Sequence, residues 1–193
     1  MNGFARHRRS GLVIANFTGF EAELLRSLAQ QLVELLRNEE AAPKDQDSFE
    51  AMMDFSGPTN APEDPVLARL FPTAYADDEE AAAEFRRFTE GTLRDGKSRA
   101  AIAIIDGLEE AGLPPELTEE GLHFDVELDE PTAETWLRSF TDLRLALATR
   151  LGVEEDDEDV WEALPDEDPR SQAHDIYEWV GYLQETLVEA LVD

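Results

Sequence analysis

Leu137 to Leu151, LRSFTDLRLALATRL, is the stretch that most constrains the fold. Wound as a helix, it carries apolar residues on nearly every face. A helix that is apolar all round has to be covered on most sides. The rest of the chain must supply that cover, so this segment predicts a central helix in a mainly helical fold. Two charges interrupt it, Asp142 and Arg144. Two positions apart, they do not face each other on a helix. Each therefore needs its own partner if buried. Tyr177, Trp179, Tyr182 and Gln184 near the C-terminus are the expected sources. We read Asp142 and Arg144 as structural residues, not as a catalytic site.

The covering elements can be read in order. GLVIANF, Gly11 to Phe17, is rich in β-branched residues and predicts a strand. Thr18 and Glu21 form a capping box that opens a helix running to about Arg37, with a leucine stripe from Leu24 to Leu36. A flexible loop is expected over 39–61, with one short turn of helix at FEAMM. Asp64-Pro65 starts another helix, which Pro72 ends. Two separate helices are predicted next. The first covers 78–89 with Ala81, Phe85 and Phe88 inward, the second 93–110 with Ala101, Ile104, Ile105 and Leu108 inward. Gly91 and Gly96 punctuate them, and GLPPEL follows as a breaker. LHFDVEL, Leu122 to Leu128, alternates as a half-buried strand and should pair with Val13 to Phe17. Pro131 fits the first turn of the central helix, and Gly152 ends it. An acidic loop follows over 154–168, and a last helix begins near Asp168-Pro169. The expected fold is α+β, mainly α: five or six helices packed with a small two-stranded sheet, in one domain over 1–193.

Charge bounds the partners. The chain has 45 carboxylates against 16 Lys and Arg, a net charge of -29. Such a surface repels nucleic acid at long range and resists self-association. Arg6, Arg8 and Arg9 form a basic start, and ten carboxylates crowd Glu154 to Asp168 without a Lys or Arg. EEDDED lacks the central glycine and donor alternation of a calcium loop. The absence of cysteine removes thiolate and disulfide chemistry. No apolar run is long enough to span a membrane. A cytoplasmic protein without membrane association is expected.

Candidate chemistry is sparse. His7, His123 and His174 are far apart and form no metal-binding spacing. No phosphate-binding glycine loop and no G-x-S-x-G elbow occurs. No catalytic residue, cofactor or metal is assigned, and the chain is expected not to be an enzyme. An unrecognised site built from carboxylates and a histidine is the remaining enzymatic alternative. Direct DNA binding would need a basic patch. Arg6, Arg8 and Arg9 supply one, and Arg86, Arg87, Arg94, Lys97 and Arg99 a second. Arg6, Arg8, Arg9, Arg86 and Arg87 are candidate partner contacts, joined by the aromatics Tyr177, Trp179 and Tyr182 should they line a groove.

FEAELLRSLAQQLVELL, DPVLARLFPTAY, WLRSFTDLRLALATRLG and YEWVGYLQETLVEAL resemble, in this order, the successive motifs of the actinobacterial DUF2017 family. The resemblance runs from Phe20 to Leu191. That family includes AosR-type oxidative-stress transcriptional regulators, so it implies a cytoplasmic regulatory protein with no known enzyme activity. Redox sensing in regulator-type members uses a C-x-x-x-C pair, which this chain lacks. The expected function is a non-enzymatic regulator acting through protein contacts, transcription-associated, with a sigma factor or RNA polymerase as partner. The alternative is an acidic adaptor or scaffold with no role in transcription.

Overall fold

A computed structural model describes residues 3–38, 59–165 and 167–192. In chain order the described elements are β1 (Ala5–Arg6), β2 (Val13–Thr18), α1 (Gly19–Asn38), α2 (Pro65–Leu70), α3 (Glu79–Glu110), β3 (His123–Leu128), α4 (Glu130–Leu151), α5 (Glu158–Glu162) and α6 (Pro169–Val192). The architecture is α+β and mainly α. Most of the loop expected over 39–61, with the FEAMM turn, lies outside the described residues.

The sheet is antiparallel in the order β1-β2-β3, so it has three strands where two were expected. Val13 pairs with Leu128 and Phe17 with Phe124. Val13, Ala15 and Phe17 of β2 and Phe124, Val126 and Leu128 of β3 enter the core, as strict alternation requires. The added strand is only Ala5–Arg6, joined to β2 by a tight turn in which Gly11 adopts φ 73°. Two residues carry no period, and their strand arises from pairing alone. Phe4 beside it anchors the N-terminus, with its ring 5.9 Å from Phe17, 6.1 Å from Trp136 and 5.9 Å from Phe140.

Caps set the helix ends. Thr18 N–H donates to Glu21 Oε2 at 2.8 Å, and Glu21 N–H donates back to Thr18 Oγ1 at 3.2 Å. Asp64 accepts from Val66 and Leu67, Asp78 from Ala81, and Asp129 from Thr132. Gly152 closes α4 with φ 72° in the left-handed region.

The largest departure from expectation is α3. The segments 78–89 and 93–110 form one continuous helix that passes through Gly91 and Gly96. Arg86, Glu90, Arg94, Ala101, Ile104 and Leu108 lie in one buried stripe, with steps of four, four, seven, three and four. Ile104 and Leu108 face the core. In an unbroken helix that choice fixes the phase of the first half. It turns charged residues inward and Phe85 and Phe88 outward, the reverse of the expected orientation. A second departure lies in the acidic stretch, which contains the helical turn α5 where a loop was expected.

The core lies between the inner face of the sheet and α1, α3, α4 and α6. Trp136, Phe140, Leu25, Leu36, Ile104, Leu183 and Leu187 are all fully buried there. As the all-round apolar pattern predicts, α4 is central: it packs on α1, α2, α3, α6 and β3. Among the described residues no helix is long and apolar enough to cross a membrane.

Candidate functional site

The two charges of α4 point to different neighbours. Asp142 does not meet the last helix. Lys97 of α3 donates to its Oδ1 at 2.6 Å. The sequence places Lys97 on a helix but cannot say which helices lie side by side, so the expected partner was wrong. Burial raises the Asp142 carboxyl above its ordinary value, and this outweighs the opposing hydrogen bond and charge of Lys97. Arg144 does turn to α6. Its Nη1 donates to Gln184 Oε1 at 2.9 Å and its Nη2 to Tyr177 Oη at 3.4 Å. The guanidinium carbon lies 5.2 Å from the centre of the Tyr177 ring, within cation–π range. Gln184 in turn donates to Thr141 Oγ1 at 2.8 Å.

The same column of rings continues outward. His174 lies 5.8 Å from Tyr177 and stacks on Trp161 of α5 at 4.6 Å with 9° between planes. This stack ties the acidic stretch to α6. Tyr177 is therefore half-buried beneath Arg144, Trp179 is buried in the core, and only Tyr182 of the three candidate aromatics is exposed. His123 sits elsewhere, on β3, with Nδ1 3.0 Å from Asn16 Oδ1. Among the described residues no three His, Asp or Glu side chains are placed to hold a metal ion.

The basic clusters are also divided. Arg6 reaches the C-terminal carbonyls of Ala190 and Leu191 on α6, each at 3.5 Å, where the helix dipole favours a cation. Arg8 and Arg9 are exposed in the turn after it. The second cluster does not form a patch. Arg86 and Arg94, 7% and 5% exposed, flank Glu90, which is 3% exposed. Arg86 Nη1 donates to Glu90 Oε2 at 2.7 Å and Arg94 Nη2 to Glu90 Oε1 at 2.6 Å. Both arginines also bind backbone carbonyls. Arg86 binds the Phe71 carbonyl at 3.2 Å, and Arg94 binds the Leu36 carbonyl at 2.9 Å. Arg94 also stacks over the Phe71 ring at 4.8 Å. Arg86 is thus withdrawn from any partner, and only Arg87 and Arg99 of this cluster are exposed. The sequence signal for the triad was present: alternating sign at i, i+4 and i+8. It reads equally as a wet helix face, and only the packing of α3 decides. Arg26 was missed in the same way. It is buried on the leucine face of α1 and donates to Pro114 and Pro115 carbonyls at 2.6 and 2.9 Å, fastening GLPPEL.

Two surface features remain. An open groove of about 630 Å³ runs between α3 and α4, lined by Lys97, Arg99, Arg138, Thr135, Thr141 and Asp142. Its cations are already engaged. Lys97 holds Asp142, Arg138 approaches Glu134 at 3.6 Å, and Arg99 donates to the Asp95 carbonyl at 3.3 Å. The second is the outer face of the first half of α3. Phe85 packs edge-on to Tyr75 at 5.9 Å, and Phe88 lies beneath Arg87 at 4.7 Å. All three aromatics are exposed: Phe85 and Phe88 lie on a helix whose inner side is fixed by the buried triad, and Tyr75 lies in the segment just before it.

Sequence comparison agrees with the motif resemblance. The family model described as "Domain of unknown function (DUF2017)" matches residues 1–191. The chain is 34% identical over 186 residues to the protein named "Putative oxidative stress regulator AosR" of Mycobacterium leprae (strain TN), covering 89% of this chain and 79% of that one. It is 30% identical over 185 residues to "Oxidative stress regulator AosR" of Mycobacterium tuberculosis (strain ATCC 25618 / H37Rv), with 89% and 78% covered. No solved structure matches it. The chain belongs to the DUF2017 family, a domain of unknown function.

Proposed function

We propose that this chain is a non-enzymatic, cytoplasmic regulatory protein that acts through contact with another protein, in association with transcription. The observation that carries this reading is its relatedness over most of its length to proteins named oxidative stress regulators. With no cysteine in its 193 residues, it would relay a signal by binding rather than by thiol oxidation. The internal use of Asp142, Arg144, Arg86 and Arg94 supports a fold-building role for these charges. A sigma factor or RNA polymerase is the partner this reading names. Affinity capture of the tagged full chain from its own cells tests it, followed by run-off transcription with the purified components. Recovery of polymerase subunits or a sigma factor, with a change in transcript yield, is the expected result. Capture of protease or metabolic subunits without polymerase would instead make it an adaptor.

A further inference from the structure

We propose that Tyr75, Phe85 and Phe88 form the docking surface for a cationic amphipathic segment of a partner protein. The proposal rests on the reading that this chain works through a protein partner, and it names the face and the partner's chemistry. Tyr75 is 49% exposed, Phe85 43% and Phe88 65%. Tyr75 and Phe85 meet edge-on, and Phe88 follows Phe85 at i+3 on the same helix face. Neighbouring exposed apolar side chains mark interaction sites more often than scattered ones do. This surface is also preorganised. Glu90 and its two arginines lock the opposite side of the same helix turns, so little ordering cost remains for binding.

Charge selects the occupant. The exposed carboxylates of Asp77 to Glu80 lie between Tyr75 and Phe85 in the chain, Glu84 stands one helical turn before Phe88 and Asp95 two turns after it, with Arg87 as the exposed cation of this stretch. A segment with apolar residues on one side and Lys or Arg at its margins would satisfy both features. Arg87 shows the geometry in miniature: its guanidinium already rests on the face of Phe88. A second copy of this chain fits poorly. A two-fold contact through this face would set the same carboxylates against one another, on chains of net charge -29 each. Nucleic acid is repelled by the same carboxylates.

The test uses the full chain and two labelled helical peptides of about five turns. One is built of leucine and lysine, the other of leucine and glutamate with the same apolar face. Fluorescence anisotropy is measured at about 0.15 M salt. The lysine peptide is expected to bind and the glutamate peptide not to bind. Phe88→Ser should weaken the lysine peptide about tenfold or more, with an unchanged melting temperature. Phe20→Ser, at a 74% exposed position on α1, should leave it unaltered. Equal binding by wild type and Phe88→Ser would overturn the proposal, because the peptide would then be adsorbing to acidic surface in general. Self-association in sedimentation, abolished by Phe88→Ser, would overturn it by assigning the face to a second copy. Failure here is separable from failure of the regulatory reading. A Phe88→Ser protein that still captures polymerase as wild type does sinks this surface alone. A wild-type chain that binds the lysine peptide through Phe88 but captures no polymerase upholds the surface and removes the transcriptional role.

Discussion

Lys97 and Asp142 join α3 to the central helix through one bond of 2.6 Å, with the carboxylate buried and the ammonium partly exposed. The pair is asymmetric, and so are its mutants. Lys97→Met leaves a buried carboxylate without its cation. Because the ammonium is partly exposed, the cost is that of a lost hydrogen bond to a charged group, about 2 kcal/mol near neutral pH. The pH dependence has a definite sign. Burial raises the folded-state value of Asp142 above 3.8 in the wild type, and loss of Lys97 raises it further. A raised group favours the folded state most below 3.8 and loses that contribution as pH rises through its folded value. The deficit of Lys97→Met relative to wild type should therefore shrink on acidification and be complete at neutral pH. Urea unfolding at several pH values checks it. A deficit that grows towards acid would refute the assignment.

Glu90 is the hinge of a three-residue ion cluster, and its removal leaves two buried guanidinium groups facing each other. Glu90→Ala should destabilise by about 3–5 kcal/mol, comparable to the whole stability of a marginal domain. Glu90→Gln keeps an acceptor for one arginine and should fall between. A variant replacing Arg86, Glu90 and Arg94 together by apolar residues of similar volume should recover much of the loss, since no charge is then left unpaired. Thermal unfolding of the three proteins gives the order directly.

The mixed legibility of this chain has physical causes. Local chemistry read well: Thr18 with Glu21, Asp64 with Pro65 and Gly152 each act within a few residues of themselves. Alternation in Leu122–Leu128 was also decisive, because a strand face has only two choices. What failed was long-range. Lys97 and Asp142 are 45 positions apart, and periodicity says nothing of which helices become neighbours. The orientation of Phe85 and Phe88 failed for a related reason. Treated as a separate helix, 78–89 buries its aromatics; joined through Gly91 to Ile104 and Leu108, it must bury Arg86 and Glu90. The candidate surface was therefore illegible until the continuity of α3 was known.

Two glycines on that helix should respond in opposite directions to the same substitution. At Gly91 a methyl group would meet nothing within 4 Å. Gly91→Ala should stabilise by about 1 kcal/mol through helix propensity alone. At Gly107 the added carbon would lie 2.7 Å from Trp136 Cζ2. Trp136 is fully buried and its indole N–H donates to the Ala103 carbonyl at 3.1 Å, so the ring has little room to retreat. Gly107→Ala should destabilise by about 1–3 kcal/mol in spite of better propensity. Parallel melting curves check the pair, and a stabilising Gly107→Ala would show that Trp136 can move.

Arg144 is held by neutral groups, and this sets what its loss should do. Its bonds go to Gln184 and Tyr177, and its Nε is buried with no hydrogen-bond partner among the described residues. Arg144→Ala strips no carboxylate of its counter-charge. It removes one hydrogen bond to a charged donor, one long bond to a phenol and a cation–π contact, together about 2 kcal/mol. The cost should thus be smaller than for Glu90→Ala, although both residues sit in helices of the same core. Arg144→Lys keeps the charge but cannot span Gln184 and the Tyr177 ring at once, so it should recover less than half of the loss. Tyr177→Phe keeps the ring beneath the guanidinium and should cost less than Arg144→Ala. Chemical unfolding of the three variants, with polymerase or sigma-factor capture measured beside it, separates structure from recognition. A fully stable Arg144→Ala protein that no longer captures its partner would move Arg144 from the fold to the binding surface.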